Sequence, residues 1–355
     1  MLHGGFLQSP ESAFSLACSG NAILMAAGTM RWKVMWGKTM DLNAQAESLC
    51  RSALADPDEL RIAAHQTSSG ATVIDFGVEV VGGLEAGRIL AEICTGGAAE
   101  VTLLPPQREL GPWPMVQVRS DEPVAAFMGA QYAGWPIQHG KFYAMGSGPM
   151  RQRRGEESVL DRCELVQAGD RAVGVLECDR LPEDAICVAI AEACKVPVER
   201  LTLCVAPTRS IAGCVQVVAR SVETCLHKMF ELGVDLSIVR SGMGVAPLPP
   251  VRTDFAEGIG VTNDAILYGG QVALWVDAED AQVQEHVEAI PSRSSRDWGK
   301  PFAEVFRGYK YDFYLVDKGL FSPAEVMISN LRSGRCWRSG ELRPDMITKS
   351  FLGTS

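Results

Sequence analysis

Apolar and polar residues alternate along the chain with two spacings, one typical of strands and one typical of helices. Short apolar runs predict strands over residues 71–76, 115–119, 172–178, 201–205 and 271–276. Amphipathic stretches predict helices over residues 43–55, 84–94, 182–194 and 212–232. Asn43 is expected to cap the first of these helices and Gly233 to end the last. Because the two kinds of segment alternate, the sequence predicts a mixed α/β (α+β) fold.

The helix predicted over residues 212–232 carries two stripes of side chains. Its apolar stripe consists of Val215, Val218, Ala219, Val222, Cys225, Leu226 and Met229. A second stripe on another side is polar and consists of Gln216, Arg220, Glu223 and His227. Arg220 and Glu223 are three residues apart and can pair, which would hold the carboxylate in one orientation. Spacing alone favours a simpler interpretation, an exposed ion pair that contributes under about 1 kcal/mol to stability.

Glycine-rich segments predict turns in which backbone amides can approach a ligand. They cover residues 81–83, 144–149, 241–247 and 268–270. None of them completes the G-x-G-x-x-G fingerprint of dinucleotide-binding folds before a helix. The polar cluster of residues 262–264 is predicted to precede an apolar strand that leads to Tyr268. Aromatic residues crowd positions 302–314, where they could wall a flat heterocycle, although core packing is the more common cause of such crowding.

Composition narrows the class of protein. The 355 residues are 47% hydrophobic and 21% charged, which is typical of a globular protein long enough for two domains. The net charge of -10 gives no general attraction to nucleic acid or to an anionic membrane, so neither is expected as a partner. The 11 cysteines are scattered among apolar residues, as reduced thiols of cytoplasmic proteins are. Because neither cysteines nor histidines show the spacing of a zinc site, no metal is expected.

Changes in character along the chain suggest four segments. Residues 1–39 resemble part of a secretory signal but lack its basic start, so we expect a non-native or disordered extension before Met40. The polar stretch over residues 151–169 follows a Gly- and Pro-rich turn and predicts a domain boundary. We therefore expect a first α/β domain over residues 40–165, a second over residues 166–320 and a C-terminal segment over residues 321–355. No apolar run is long enough to predict a membrane span.

Ten short blocks of sequence occur in an order and spacing found in one enzyme family. They are GATVID (70–75), GGLEAGR (82–88), QYAGW (131–135), AMGSGP (144–149), VAPT (205–208), ARSVET (219–224), GVAPLPP (244–250), TNDAILYGG (262–270), LFSPAEV (320–326) and KSF (349–351). Through these blocks, residues 40 to about 353 resemble the methenyltetrahydromethanopterin cyclohydrolase family of one-carbon metabolism.

The resemblance implies a two-domain subunit that holds a pterin in the cleft between its domains, with the C-terminal segment closing that cleft. It also implies a homotrimer and a tetrahydromethanopterin derivative as substrate, with no metal, nucleotide or other permanently bound cofactor. Arg220 and Glu223 match the family's catalytic pair. Members of the family often have lysine where Tyr132 stands here, so no cationic role is carried over to that position.

The implied reaction is the hydrolysis of 5,10-methenyltetrahydromethanopterin to the N5-formyl product. The methenyl carbon is electrophilic because the bridge is a cation, so the protein must place a water and move protons. Glu223 is expected to take up and return the proton, and Arg220 is expected to orient it. A hydroxyl such as that of Ser350 or Ser147 suits a water or an amide-like ring edge, because it can donate and accept hydrogen bonds. The predicted substrate-binding residues are Ser350, Ser147, Tyr132, Asn263, Asp264 and Tyr268.

Two alternatives stay open beside this function. One is a methenyl cyclohydrolase that acts on folate, although the missing dinucleotide fingerprint counts against the type with a dehydrogenase activity. The other is a non-catalytic pterin-binding protein of the same fold, which the presence of both Arg220 and Glu223 makes a weaker interpretation. Loss of methenyl-cation absorbance after the protein is added to each pterin would separate the three.

Overall fold

The computed structural model describes residues 40–312 and 315–353. Asp41–Ser355 form one compact unit. The extension predicted over residues 1–39 lies outside the described residues, and so do Phe313 and Tyr314 of the aromatic run.

The α-helices are α1 (Leu42–Ala53), α2 (Pro57–Leu60), α3 (Leu84–Cys94), α4 (Met150–Arg154), α5 (Ser158–Arg162), α6 (Asp184–Cys194), α7 (Ile211–Val218), α8 (Ser221–Glu231), α9 (Phe255–Gly269), α10 (Asp280–His286), α11 (Phe302–Gly308) and α12 (Pro344–Leu352). The strands are β1 (Ala63–Gln66), β2 (Thr72–Asp75), β3 (Glu100–Leu104), β4 (Met115–Ser120), β5 (Trp135–His139), β6 (Phe142–Ser147), β7 (Ala172–Glu177), β8 (Leu201–Ala206), β9 (Val239–Pro247), β10 (Gln271–Val276), β11 (Glu325–Asn330) and β12 (Cys336–Gly340). A π-helix spans Val124–Gln131.

Two six-stranded sheets form the framework of the molecule. The first sheet has the strand order β1-β2-β8-β7-β6-β5, and the second has the order β12-β11-β10-β9-β4-β3. Both are mixed: β8 runs parallel to its neighbours β2 and β7, and β10 runs parallel to β11, whereas the other neighbours are antiparallel. With the helices packed on them, these sheets give the mixed α/β fold that was predicted.

The central strands of the first sheet, β2, β7 and β8, are buried on both faces. Side chains alternate across a strand, so Leu203 of β8 packs into one apolar cluster and Cys204 into another. The first of these clusters includes residues of α6, and the second includes residues of α1 and α3. Parallel strands covered on both faces are apolar along most of their length, which is why β7 and β8 are visible in the sequence as mostly apolar runs.

The second sheet shares a larger apolar cluster with α8 and α9. Leu226 of α8, Ala265 of α9 and Leu274 of β10 are all fully buried in it. The whole apolar stripe predicted for residues 212–232 belongs to this cluster, so that prediction is confirmed. The remaining predicted strands and helices agree with the structure to within two residues at each end.

The capping residue of α1 differs from the prediction. Asp41 is the N-cap, because its carboxylate accepts hydrogen bonds from the backbone N–H groups of Asn43 and Ala44. Asn43 is buried instead: its Nδ2 donates to the carbonyl of Pro149 at 3.0 Å, and its Oδ1 accepts from the N–H of Val173 at 3.0 Å. This side chain therefore ties α1 to the turn before α4 and to β7.

Two segments predicted as loops or strands have another structure. Residues 241–247, predicted as a glycine-rich turn, lie inside β9, where a Cβ at Gly242 would meet the Val222 side chain at 3.0 Å. The glycines therefore let α8 approach this strand. Residues 262–268, predicted as a polar cluster before a strand, lie inside α9. Almost all residues of α9 after Glu257 are buried, which hides the helical period in the sequence.

The sheets join early and late parts of the chain. Strand β6 pairs with β7 in the first sheet and β4 pairs with β9 in the second, so both sheets take strands from both sides of the boundary predicted at residues 165–166. The division into residues 40–165, 166–320 and 321–355 stays a prediction. Within the described part of the chain, no helix combines the length and the apolar character that crossing a membrane requires.

Candidate active site

Arg220 and Glu223 lie where α7 meets α8. The single helix predicted over residues 212–232 is wrong at this point, because α7 ends at Val218 and α8 begins at Ser221. Arg220 is the N-cap residue of α8, and Glu223 lies in its first turn. The apolar period continues across the break because both helices bury the same stripe, so the sequence pattern does not reveal the interruption. A carboxylate in a first helical turn is stabilised by the positive end of the helix dipole.

The pair is buried, not exposed. Arg220 has 6% and Glu223 has 5% of its surface accessible to solvent. The Nη1 atom of Arg220 lies 3.6 Å from a carboxylate oxygen of Glu223. The interpretation as an exposed helix ion pair is therefore wrong. Buried charges are costly unless they are paired and hydrogen-bonded, so an arrangement of this kind needs support from the surrounding elements.

Three elements support the Arg220 guanidinium. Its Nη2 atom donates to the hydroxyl of Ser147 at the end of β6, at 3.0 Å, and lies 3.8 Å from the sulfur of Cys94 at the end of α3. Its Nη1 atom donates to the carbonyl of Gln131 at the end of the π-helix. Its buried Nε–H has no hydrogen-bond partner among the described residues. The guanidinium is therefore fixed in place, and one of its buried N–H donors is unpaired within the described part of the chain.

The turn after β6 brings Ser147 to Arg220. Gly148 follows with a φ of +88°, and a Cβ there would lie 3.1 Å from the backbone nitrogen of Val175. Only glycine fits this conformation and this approach without strain. The Ser147 hydroxyl lies 3.3 Å from the carbonyl of Val175 and 3.3 Å from the sulfur of Cys94. The glycine-rich segment over residues 144–149 thus places a predicted site residue against the catalytic candidate.

Tyr132 follows the π-helix, and its ring stacks on that of His227. The ring centres are 4.6 Å apart and the planes are inclined by 20°. Burial, followed by the nearby Glu223 carboxylate, raises the pKa of Tyr132. Burial lowers the pKa of His227 to about 4. Both rings are therefore neutral at pH 7 and form an uncharged wall beside Glu223.

Opposing influences act on the pKa of Glu223. Burial raises this pKa, whereas the positive charges of Arg220 and Arg151 lower it. A buried carboxyl with guanidinium groups nearby can keep its ionised form and still take up a proton during a reaction. This is the behaviour that a general base requires.

Glu177 is a second carboxylate near Arg220, and it is not among the residues that the sequence predicts for the site. It is the last residue of β7 and lies on the same face as Val175, the residue that pairs with Ser147 of β6. Burial raises the pKa of Glu177, and the charge of Arg220 lowers it. The position of Glu177 at the end of a predicted strand could have marked it as a candidate, because functional residues of α/β proteins often lie at the carboxyl ends of parallel strands.

Asp264 and Ser350 meet at a second place. The Ser350 hydroxyl donates to one carboxylate oxygen of Asp264 at 2.7 Å, and the backbone N–H of Phe302 donates to the other at 2.8 Å. Burial raises the pKa of Asp264 to about 7. Both residues line an open cavity of about 240 Å³, together with Arg252 and Lys349. Within the described residues, the lining of this cavity does not include Arg220 or Glu223.

Asn263 and Tyr268 have partners within the fold. The Asn263 side chain donates to the carbonyl of Ile259 in its own helix at 2.9 Å. The Tyr268 hydroxyl donates to the carbonyl of Lys300 at 2.6 Å and accepts from the N–H of Gly299 at 3.0 Å. Their contribution to substrate binding stays a prediction. Phe302 and Phe306 of the aromatic run are buried in the apolar cluster of the second sheet, which favours core packing for them.

One group of side chains has the composition of a metal site. Potential ligand atoms of His65, Asp75 and Glu79 lie within 4.8 Å of one another. The carboxylate of Asp75, however, accepts hydrogen bonds from the backbone N–H groups of four consecutive residues, 77–80, at 2.6–3.2 Å. These bonds give Asp75 a role in shaping the loop after β2.

Comparisons with known proteins agree on one family. Residues 41–351 match the family model described as "Cyclohydrolase (MCH)". A methenyltetrahydromethanopterin cyclohydrolase from Rhodopirellula baltica is 49% identical over 290 residues, which are 80% of this chain and 87% of that protein. Proteins of the same name from Methylobacterium nodulans and Methanospirillum hungatei are 43% identical over 315 residues and 41% identical over 295 residues. These matches cover 87% and 83% of this chain, and 97% and 93% of the two relatives.

Proposed function

This chain belongs to the methenyltetrahydromethanopterin cyclohydrolase family, and from that premise we propose that it hydrolyses 5,10-methenyltetrahydromethanopterin at the buried pair of Arg220 and Glu223. The product is N5-formyltetrahydromethanopterin, and the protein is a hydrolase. The resemblance that the sequence blocks predicted is thereby confirmed. The observation that supports the site is the burial of a carboxylate beside a guanidinium that several elements hold in place.

The reaction adds water to the cationic carbon between N5 and N10. Glu223 takes a proton from the attacking water as the carbon–oxygen bond forms, which gives a neutral tetrahedral adduct. The bond from this carbon to N10 then breaks, N10 receives a proton from the same carboxyl, and the adduct hydroxyl loses its proton to leave the N5-formyl group. One proton is released in total. A single carboxyl suffices because the two transfers follow each other at neighbouring atoms.

Arg220 fixes the carboxylate and faces the developing product. Its Nη atoms are occupied by Ser147, Gln131 and Glu223, so the guanidinium cannot swing away when the carboxyl is protonated. Its unpaired Nε–H is available to donate to the water or to the adduct oxygen. A donor that is already oriented before the reaction stabilises the adduct without reorganisation.

The charges around the pair suit a cationic reactant. Glu223 and Glu177 both interact with Arg220, and Arg151 near Glu223 is paired with Glu157, so three carboxyl groups accompany two guanidinium groups at this point. The neighbouring rings of Tyr132 and His227 are neutral at pH 7. The methenyl cation would therefore enter an environment that is not positively charged, which favours its binding.

We further propose that the pterin is held in a cleft by Ser147 and Tyr132 near the pair and by residues from α9 and the C-terminal segment. The Ser350 hydroxyl and the Asp264 carboxyl are the candidates of that second group, because both border an open cavity and both can donate or accept at an amide-like ring edge. Asn263 and Tyr268 lie on the same helix as Asp264.

The subunit is proposed to act as a homotrimer in the cytoplasm and to need no bound cofactor. The methenyl carbon carries its own activating charge, so Lewis-acid help is not required for attack by water. Exhaustive treatment with a chelator should leave turnover unchanged. Restoration of lost activity by a stoichiometric metal would contradict this part of the proposal.

The loss of methenyl-cation absorbance tests the function directly. Wild-type protein should bleach methenyltetrahydromethanopterin much faster than methenyltetrahydrofolate. Glu223→Gln keeps the shape but cannot accept a proton, so its turnover should fall by about two to four orders of magnitude. Glu231→Gln is a matched control at the other end of α8, where the carboxylate lies 3.6 Å from His227, and it should retain turnover.

Each alternative function gives a different result in this assay. Equal or faster bleaching of the folate substrate would favour a folate cyclohydrolase. Binding of either pterin without bleaching would favour a non-catalytic protein. Near-normal turnover of a folded Glu223→Gln variant would place the general base elsewhere.

A further inference from the structure

The last carbonyl groups of the π-helix Val124–Gln131 require hydrogen-bond donors from other parts of the protein. A helix leaves the carbonyl groups of its last turn without partners within the helix. π-helical segments are rare and frequently lie at functional sites. This one ends directly before Tyr132, so its last carbonyl groups are close to the catalytic candidates.

Arg151 supplies donors to three of these carbonyl groups. It lies in α4 and is fully buried. Its Nη1 atom is 3.1 Å from the carbonyl oxygen of Met128, 3.5 Å from that of Gly129 and 3.1 Å from that of Ala130. On its other side, Nε donates to Glu157 at 2.8 Å, and Nη2 donates to the second oxygen of the same carboxylate. This two-point contact fixes the plane of the guanidinium.

The next carbonyl group in the chain, that of Gln131, is held by Arg220. Four consecutive carbonyl groups are therefore held by two guanidinium groups, three by Arg151 and one by Arg220. A displacement of the backbone at residues 128–130 would move the acceptor that positions Arg220. Arg151 is thus coupled to the catalytic pair through a short piece of backbone.

Arg151 also acts on the side-chain groups around Glu223. Its guanidinium lies 5.0 Å from the centre of the Tyr132 ring, which stacks on His227. The charged and titratable groups around Glu223 fall into three sets: Arg220 with Glu177, the Tyr132 ring and His227 with its partner Glu231, and Arg151 of α4 with its partner Glu157. Among these, the positive charge of Arg151 lowers the pKa of Glu223.

We propose that Arg151 is a positioning residue for the hydrolysis, because it fixes the end of the π-helix so that the Gln131 carbonyl and the Tyr132 ring hold Arg220 and Glu223 in their working arrangement. Arg151 itself does not touch the reacting atoms in this mechanism. The inference rests on the proposed function and adds a second basic residue, Arg151, to the residues that support the reaction, in a helix that the catalytic pair does not belong to.

The full-length variants Arg151→Met and Arg151→Lys test this role, with Arg153→Met as a matched control. Arg153 lies in the same helix and is only 4% exposed. It donates to the carbonyl groups of Ala168 and Arg171 and pairs with Asp41, away from the π-helix. The measurements are kcat, KM and the dependence of kcat on pH, with circular dichroism and unfolding curves for each variant.

Arg151→Met should lower kcat by about ten- to a hundred-fold, the usual effect of a small misplacement of catalytic groups. The acidic limb of its kcat profile should move to higher pH, because loss of the positive charge raises the pKa of Glu223. Arg151→Lys keeps the charge but cannot reach three carbonyl groups and a carboxylate together. Its pH profile should resemble that of the wild type while its kcat falls. Arg153→Met should lose stability but keep kcat and the pH profile.

Several outcomes would overturn the inference. A folded Arg151→Met variant with the kcat and the pH profile of the wild type would do so. A shift of the acidic limb of the kcat profile to higher pH in Arg153→Met would also do so, because it would not be specific to Arg151. If Arg151→Met does not fold, Arg151→Lys decides, because wild-type kcat in that variant excludes a positioning role. Failure of the wild type to hydrolyse the methenyl substrate would instead contradict the proposed function. An active wild type with an inactive Glu223→Gln variant and normal Arg151 variants would contradict only the role of Arg151.

Discussion

At the scale of single residues, burial determines what the Arg220–Glu223 pair contributes. An exposed pair would add little to stability, but this pair is almost inaccessible to water. Burial raises the pKa of Glu223 in the folded protein above its unfolded value. Such a carboxyl contributes its full stability only below the unfolded pKa, and that contribution is lost as the pH rises through the folded pKa. Burial therefore makes the ionised carboxylate the costlier form of Glu223 in the folded protein, and this is the form that can accept a proton.

Substitutions at the pair should separate stability from activity. In Glu223→Gln the Arg220 guanidinium loses this partner but keeps its hydrogen bonds to Ser147 and Gln131, so the free energy of unfolding should fall by less than in Arg220→Ala, although turnover is lost. Arg220→Ala leaves a buried carboxylate without its partner and should cost about 3–5 kcal/mol. Chemical denaturation and turnover measurements on both variants check this.

The double variant Arg220→Ala/Glu223→Gln provides the control for that experiment. Its turnover should be little lower than that of the worse single variant, because groups that act as one unit are not additive. It should also be more stable than Arg220→Ala, since no uncompensated charge is left. Strictly additive losses of turnover would show that the two residues act independently.

Asp264 makes a second prediction at this scale. Its pKa is raised by burial from 3.8 to about 7 in the folded protein. Because the folded pKa is the higher one, the stability that Asp264 contributes is complete below about pH 4 and is lost as the pH rises through about 7. Asp264→Asn should therefore weaken the fall of Tm between pH 5 and pH 8. The exposed residue Asp58 offers a control, because Asp58→Asn should leave that fall unchanged.

The residue types at the site could be predicted from the sequence, but their environment could not. The spacing of Arg220 and Glu223 is the same whether the pair is exposed or buried, and the family match, not the period, marked it as catalytic. Ser147 could be proposed because it stands between two glycines in a turn. Glu177 and Arg151 come near the pair only through the pairing of β6 with β7 and the packing of α4 against the π-helix, which no local pattern encodes.

At the scale of elements, close packing of α3 on α7 holds the site together. A Cβ at Gly87 of α3 would lie 2.8 Å from the Val215 Cβ and 2.9 Å from the Cα of Ala212. α3 also ends at Cys94, whose sulfur is 3.8 Å from the Arg220 guanidinium. The glycine therefore lets the two helices approach closely enough to bring this sulfur to the site.

Gly87→Ala should push α3 away from α7. Overpacking of this kind commonly costs about 1–3 kcal/mol, and the displacement of Cys94 should also reduce turnover. Thermal unfolding and the absorbance assay measure the two effects. Gly308→Ala is the matched control, because no atom lies within 4 Å of a Cβ at that helical position and neither quantity should fall. A Gly87→Ala variant as stable and active as the wild type would show that the helices have room to separate.

Elements were predictable where one face of a segment is apolar and the other is not. The bounds of α3 and β10 follow directly from the sequence pattern. The pattern failed where burial is uniform, as in α9, and where glycine serves close packing inside a strand, as in β9. It also failed at the break between α7 and α8, because the apolar stripe crosses the break unchanged.

At the scale of the whole molecule, the pairing of strands ties distant parts of the chain together. In the first sheet β2 pairs with β8, and in the second sheet β4 pairs with β9, so each sheet joins strands that are far apart in the sequence. The catalytic candidates come from the ends of β6 and β7, the π-helix and the junction of α7 with α8. They are assembled only when the whole unit has folded.

This organisation predicts which part of the chain is sufficient for activity. The family match covers residues 41–351, and Asp41–Ser355 form one compact unit that contains both sheets and all of the site residues named above. A chain that begins at Met40 should therefore fold, keep the kcat of the full-length protein and elute as the proposed trimer. Light scattering coupled to size exclusion gives its mass, and the absorbance assay gives its turnover.

The full-length chain is the reference for both measurements, and the two readouts have separate meanings. Loss of solubility or of turnover on removal of residues 1–39 would assign a structural role to them, against our expectation. An active chain of monomeric mass would contradict the trimer, and its activity would show that one chain supplies the whole site. Trimeric mass with lost turnover would show that assembly alone does not order the junction of α7 and α8.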